Sequence, residues 1–387
     1  MHGFWISLLV LLASAAGFVE IAFGIRKIGQ LKDVEPESGS NPPRVSIVFS
    51  ALNEADTIEH ALRSTLALDY PGIEIIAIND RSTDGTGSIL DKLGGQHPAI
   101  RVLHIKHLPP GWLGKNHALN EGGKRAGGDY LLFTDADVVF EPSALSRAVA
   151  YCERNRLDHL TVFPEMPVSE HLLAMLLLNG YVWMFLRMKP WKMRTSAKYF
   201  VGIGAFNLLR ADAYRQVGGH SAIRMAVLDD KMLAQIVKQN GQSQDVLFGM
   251  GMVSVEWYRS AREMFRGLRK NSFAIVDYKL VKLATSTAFV LPQIWPWVGV
   301  FVTQGVVWWL NFTTLALTVV FYNHLVRRFG WSRWCLLYLP IASVISLSML
   351  WSGCVLTLIR GGIDWRGTRY SLADLKRAHA TTASAPD

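Results

Sequence analysis

Acidic residues stand at the ends of three apolar runs in this chain. Val45-Ser46-Ile47-Val48-Phe49-Ser50 leads into Asn53-Glu54, and Ile73-Glu74-Ile75-Ile76-Ala77-Ile78 leads into Asn79-Asp80. Tyr130-Leu131-Leu132-Phe133-Thr134 leads into Asp135-Ala136-Asp137. One such acid is commonplace; three mark a candidate site. Asp135 and Asp137, two residues apart in extended chain, point the same way. Both can face one nucleotide diphosphate, with a hard divalent ion, Mg²⁺ or Mn²⁺, held by oxygen ligands. A further pair, Asp229-Asp230, opens a helical pattern in which Leu233, Ile236 and Val237 share a face and Gly241 closes the helix. Two acids there either complement the helix N-terminus or do chemistry. Asp84, heading Asp-Gly-Thr, suits the cap of a helix. Lys115 opens another helix, as a solvated side chain or as a point charge for a base or phosphate.

The elements that must position these residues alternate. Strands are expected at 45–50, 73–78, 101–105 and 130–134, with helices near 58–66, 87–93 and 115–125 between them. That order predicts an open, mostly parallel α/β sheet, whose ligands bind beyond the carboxyl ends of its strands. The acids lie at those ends. No Gly-x-Gly-x-x-Gly follows the first strand and no Gly-x-x-x-x-Gly-Lys-Ser/Thr occurs, which excludes a dinucleotide fingerprint and a P-loop. Gly111-Trp112-Leu113-Gly114-Lys115 lacks the spacing of the latter.

Apolar segments flank this region. Of 387 residues, 50% are hydrophobic and only 18% charged, too apolar for an ordinary soluble enzyme and too charged for a pure bundle of spans. Phe4 to Ile25 has spanning length and is followed by Arg26 and Lys27. An uncleaved anchor with the next region cytoplasmic fits better than a secretory signal, which would carry its basic residues first. Leu283 to Tyr322 holds no charged residue and has room for about two spans; Trp334 to Leu358 makes a further one. Basic residues both precede this last segment (Arg327, Arg328, Arg333) and follow it (Arg360, Arg366, Arg369, Lys376, Arg377), so a single crossing there sets the charge rule against itself. The expected division is an anchor at 1–26, an α/β region at 44–282, membrane segments at 283–359 and a basic tail at 360–387. Three cysteines without a paired motif point to a reducing compartment. A formal net charge of +9 suits an anionic membrane surface; no nucleic-acid-binding pattern accompanies it.

Ala51-Leu52-Asn53-Glu54, Asn79-Asp80-Arg81-Ser82-Thr83-Asp84-Gly85-Thr86, Gly114-Lys115-Asn116-His117-Ala118-Leu119-Asn120 and Thr134-Asp135-Ala136-Asp137 together resemble the family 2 glycosyltransferases of the GT-A fold, over roughly 44–240. The flanking spans, Tyr258 through Asn271 and the tail Asp364-Trp365-Arg366-Gly367-Thr368-Arg369-Tyr370 resemble the membrane-bound, carotenoid- and lipid-glycosylating branch. The resemblance implies a GT-A catalytic domain with one N-terminal and about three C-terminal transmembrane helices, in the cell membrane with the catalytic domain cytoplasmic. It implies that Asp137 ligates the metal, that Asp135 contacts the ribose or the metal's water, that Asp80 accepts from the nucleobase of a UDP-sugar and that Glu54 sits near the ribose. Lys115 would lie near the base or phosphates. Asp230 aligns with the general base, and Asp229 replaces the family's usual Glu beside it. Gly202-Ile203-Gly204-Ala205-Phe206-Asn207 and Gly218-Gly219-His220 are similar to the family's acceptor-side loop and turn.

The implied activity is inverting, non-processive transfer of a hexose from a nucleotide-sugar to a hydroxylated membrane lipid, a terpenoid or carotenoid alcohol ahead of a glycerolipid. Processive members carry Gln-x-x-Arg-Trp after the base, whereas here Arg262-Glu263-Met264-Phe265-Arg266-Gly267-Leu268-Arg269-Lys270-Asn271 stands in its place. Arg262, Arg266 and Lys270 could serve a diphosphate or an anionic lipid surface. The apolar helix at 166–188 suits a buried core or an interfacial helix guiding a lipid. The alternatives are a processive polysaccharide synthase and a non-catalytic membrane scaffold that keeps the fold.

Overall fold

The computed structural model describes residues 2–36 and 41–383. They gather into two compact units, one of Met1–Lys27, Val168–Lys189 and Trp257–Trp365, the other of Ile28–Pro167, Pro190–Glu256 and Arg366–Asp387. The apolar helix at 166–188 and residues 257–282, expected inside the α/β region, therefore cluster with the membrane segments.

The helical unit begins with α1 (His2–Ile25). The α/β unit runs β1 (Val45–Ala51), α2 (Ile58–Leu66), β2 (Ile73–Asp80), α3 (Thr86–Gln96), β3 (Ile100–Ile105), α4 (Gly114–Arg125), β4 (Tyr130–Phe133), β5 (Val139–Phe140), α5 (Ala144–Asn155) and β6 (His159–Glu165). After α6 (His171–Met188), which belongs to the helical unit, it continues with β7 (Asn207–Arg210), α7 (Ala211–Gln216), α8 (Gly219–Ala222), α9 (Asp229–Gln239) and β8 (Gln244–Ser254). The strands make one sheet in the order β3-β2-β1-β4-β7-β6-β8-β5. β3, β2, β1 and β4 are parallel. β7 runs against both of its neighbours, β6 and β8 are parallel, and β5 runs against β8.

The four parallel strands and their helices match the sequence expectation within three residues. β1 and β4 are buried on both faces, which is why they read as continuous apolar runs. α4 carries Gly122 and Gly123 in its body, each unfavourable to a helix by about 1 kcal/mol. A Cβ at Gly122 would collide with Val48 and lie 2.8 Å from Ile78 Cδ1, so the glycine lets α4 press onto β1 and β2. That seat brings the first turn of α4, with Lys115, to the carboxyl ends of the strands.

The helical unit continues with α10 (Ala261–Ile275), α11 (Leu280–Val302), α12 (Gly305–Arg328) and α13 (Leu339–Arg360), closing with β9 (Gly362–Trp365). The three C-terminal apolar helices are those expected, with 283–322 divided at Thr303-Gln304. Among the described residues, four helices are long and apolar enough to cross a membrane by length and composition: Gly3–Ile25, His171–Lys192, Gly305–Arg328 and Arg333–Arg360. α11 is kept below that standard by its composition and carries Pro292 and Pro296 within it. Ser260 caps α10 by accepting from Glu263 N at 3.2 Å. Arg262 and Arg266 on α10 are exposed, and Lys270 lies over the Trp365 ring, 4.5 Å from its centroid. The chain ends in the α/β unit with β10 (Thr368–Ser371) and α14 (Leu372–Ala383). Cys152, Cys335 and Cys354 are free and buried.

Candidate active site

Lys115 is the hub of the acids. Its Nζ lies 2.8 Å from Asp135 Oδ1 and 3.2 Å from Asp229 Oδ2. Burial alone would lower its proton affinity, but Asp135, Asp229 and Asp230 outweigh burial and hold the ammonium well above the ordinary lysine range. Of the two roles the sequence left open, the solvated side chain is excluded. Lys115 joins the acids after β4 to the acids that open α9. Neighbouring Asn116 locks this arrangement: its buried Nδ2 donates to Ile223 O and Ala226 O at 2.9 Å each, tying the start of α4 to the loop before α9.

Asp135 and Asp137 lie in the turn between β4 and β5, half-buried, while Ala136 and Val138 are buried. Residues 136–137 form a turn rather than the extended chain expected, yet the two acids are close enough for the charge of Asp135 to act on Asp137. Burial, then the charges of Asp135 and Glu54, raises the proton affinity of Asp137 above the ordinary carboxylate range. Crowded acids of this kind are what a divalent cation relieves. Among the described residues no group of three His, Cys, Asp or Glu is arranged to hold a metal. Two carboxylates nonetheless fit Mg²⁺ or Mn²⁺, which are bound through one or two carboxylates with the remaining positions taken by phosphate oxygens and water. Asp137 and Asp135 are the residues that could hold it.

Asp230 is the second residue of α9. Its Oδ2 accepts from Gly204 N at 2.9 Å and its Oδ1 from Lys231 N at 2.7 Å. Burial, then the charge of Asp229, raises its proton affinity. Asp229 differs, with Oδ2 against the Lys115 ammonium. The Gly202–Asn207 loop explains its glycines here. A Cβ on Gly202 would overlap the Asp230 backbone carbonyl, and one on Gly204 would lie 2.5 Å from Asp135 Oδ2. These glycines admit the loop to the Asp230 backbone and to the Asp135 carboxylate. Gly202→Ala should therefore displace Asp230 and lower kcat by at least ~10-fold, since a 1 Å misplacement costs about 10²-fold. Steady-state kinetics beside a melting curve would check this, and unchanged kcat in a folded variant would contradict it.

Asp80 is buried, with Arg81 clamped across it at 2.8 and 3.0 Å. Glu54 pairs with Arg366 Nη2 at 3.0 Å. Burial raises the proton affinity of Glu54, and Arg366 opposes the rise. Tyr370, four residues on, hydrogen-bonds the Gly114 backbone and lies near Arg81 and Asp80. The sequence reading missed Arg81, Arg366 and Tyr370 as neighbours of the site. Arg81 adjoins Asp80 and could have been noticed; Arg366 lies 312 residues from Glu54, and no local pattern announces that pairing. Asp84 does what its position suggested, accepting from Thr86 N and Oγ1 at 2.9 and 2.6 Å to open α3. His220 is structural: it is buried, bonded through Nδ1 to Tyr214 Oη at 2.9 Å, and pushed down to about 3 by burial.

The acids that gather at the strand ends are the ones the family motifs contain, and the Glycosyl transferase family 2 description matches residues 46–218. The chain carries a glycosyl transferase family 2 domain. Over 176 residues it is 30% identical to a poly-beta-1,6-N-acetyl-D-glucosamine synthase of Staphylococcus epidermidis, covering 45% of this chain and 41% of the relative. Over 121 residues it is 35% identical to an uncharacterized glycosyltransferase of Haemophilus influenzae, covering 31% and 36%. The chain thus spans less than half the length of these curated relatives. The fold is that of a mannosyltransferase from Pyrobaculum calidifontis, solved with GDP-Man and Mn²⁺: TM-score 0.56 at 16% identity, over 92% of this chain and 99% of that one. The GT-A expectation is borne out.

Proposed function

We propose that this chain is an inverting glycosyltransferase that moves one hexose from a nucleoside-diphosphate sugar to the hydroxyl of a membrane lipid. The observation that carries the reading is the Lys115 hub, which sets the acids suited to a donor within one side chain's reach of the acids suited to an acceptor. The donor's diphosphate would be met at Asp135 and Asp137, the residues that would hold a divalent ion, and such an ion when bound would supply charge neutralisation to the leaving group. Asp80 and Arg81 offer an acceptor and a donor to the nucleobase edge, which suits uracil of a UDP-sugar. Glu54 faces the ribose. Asp230 is the general base: the acceptor oxygen attacks the anomeric carbon, the bond from that carbon to the diphosphate oxygen breaks, and the hydroxyl proton passes to Asp230. Its raised proton affinity suits that role better than Asp229, which is held by Lys115. A positioned base contributes about 10²–10⁴-fold.

The lipid acceptor is supported by the long apolar helices and by the lack of Gln-x-x-Arg-Trp, here replaced by the α10 sequence. A second reading, a polysaccharide synthase on the cytoplasmic side of the cell membrane, is favoured by the Staphylococcus epidermidis relative. Radiolabelled sugar transfer to a soluble oligosaccharide, run beside a membrane extract, separates the two. The lipid reading predicts label in one organic-soluble product of fixed size. Label only in a lengthening, water-soluble product would overturn it in favour of the synthase.

A further inference from the structure

α4 carries Lys115 but has no cap of its own. The residue before it, Leu113, has no side-chain acceptor, and the first turn holds no acid. A helix start leaves backbone N–H groups without partners inside the helix, and Ser, Thr, Asp or Asn at the cap usually meets them. Here other parts of the chain do so. Leu113 N donates to Arg224 O at 2.9 Å, and Gly114 N donates to the phenolic oxygen of Tyr370.

The segment around Tyr370 holds the phenol in that place. Tyr370 is the buried residue of β10, between exposed Arg369 and Ser371. Thr368, two positions earlier on the same face, donates to the same phenolic oxygen. Just before β10, Arg366 and Gly367 stand at positive φ, 47° and 77°, the conformations of a tight two-residue reversal. An arginine is costly there, and its pairing with Glu54 Oε1 at 3.0 Å holds it. After β10, Ser371 caps α14, its Oγ accepting from Asp374 N at 3.1 Å. Leu375, one turn on, is buried.

The corner that receives the phenol is tight. A Cβ on Gly114 would collide with Arg81 and lie 2.7 Å from Asp80 Oδ2, and the phenol lies near both of those side chains. Tyr370 and the Asp80–Arg81 pair thus hold the first turn of α4 between them. Lys115 is the next residue, and its ammonium reaches Asp135 and Asp229 at once. A small shift of that turn would lengthen one contact or both.

We infer that Tyr370 is a positioning residue for the sugar transfer proposed above: its phenolic oxygen caps α4 and sets Lys115 between the acids after β4 and those that open α9. The catalytic part of that role rests on the proposed transfer; the cap does not.

Tyr370→Phe in the full chain tests this, since it keeps the buried ring and removes only the oxygen. Lys115 supplies a readout independent of catalysis. An ion-paired ammonium held protonated reacts slowly with an amine-reactive ester. Labelling of Lys115, read by mass spectrometry, should rise several-fold in the variant while its melting temperature stays near that of the wild type. Ser371→Ala loosens the same segment but spares the phenol, and should leave Lys115 labelling unchanged. In Tyr370→Phe, kcat for transfer should fall about 10-fold, within what small misplacements cost. The pH profile carries a sign: burial, then Asp229, raises the proton affinity of Asp230, and Lys115 opposes the rise. Looser contact with Lys115 should therefore move the rising limb of the rate to higher pH. Wild-type labelling of Lys115 in a folded Tyr370→Phe would overturn the inference. So would an equal rise in Ser371→Ala, which would reduce Tyr370 to packing. Selective labelling in a chain that transfers no sugar would overturn the proposed function and leave the cap standing.

Discussion

Asp137→Ala abolishes sugar transfer, by ~10³-fold or more, and leaves a folded protein. The size follows from the removal of the proposed metal ligand, whose ion would carry several kcal/mol of the charge developing on the leaving group. Stability should hold or improve. The folded state raises Asp137's proton affinity, through burial and then the charges of Asp135 and Glu54. An acid whose folded pKa is raised stabilises the fold at low pH and loses that contribution as pH rises through the folded value, so at neutral pH its charge is a liability. Melting with and without Mn²⁺ separates binding from chemistry. Wild-type protein should be stabilised by the ion with a nucleoside diphosphate, and the variant should not. Undiminished wild-type activity in EDTA would remove the metal assignment.

Asp230→Asn keeps donor affinity and lowers kcat by about 10²–10⁴-fold, the usual contribution of a positioned base. Affinity is kept because the role proposed for Asp230 is toward the acceptor; its oxygens are held by Gly204 and Lys231. The pH profile carries a sign as well. A base must be unprotonated, and burial and then Asp229 raise Asp230's proton affinity. The wild-type rate should therefore rise with pH along a limb displaced above the ordinary carboxylate range toward neutrality. In Asp230→Asn that limb should vanish. Normal turnover in the variant, or loss of nucleotide binding with it, would pass the role to Asp229.

The parallel half of the sheet was legible because β1, β2 and β4 are buried runs broken by polar turns, which is a local signal. β6, β7 and β8 escaped because β7 is only four residues long and reverses direction, so no helix spacing announces it. The acids were legible as a set, since strand ends gather in space. Lys115 was seen but not its role as a link, because Asp229 is 114 positions away in the chain and its approach depends on Asn116 holding the loop at 223–226. Arg366 escaped for the same reason at greater separation. The glycines at 202 and 204 were noticed, yet their neighbours proved to be the Asp230 backbone and the Asp135 carboxylate, a fact that composition cannot carry.

The central claim is that the acids joined by Lys115 transfer one sugar per donor to a membrane lipid. Purified full-length protein in bilayers, given a radiolabelled nucleoside-diphosphate sugar, Mn²⁺ and a lipid extract, tests it by counting two products in one reaction. The account predicts one nucleoside diphosphate released per labelled lipid of fixed size, with both lost together in Asp137→Ala and in Asp230→Asn. Many diphosphates released for each labelled acceptor, or lipid labelling undiminished in either variant, would contradict it.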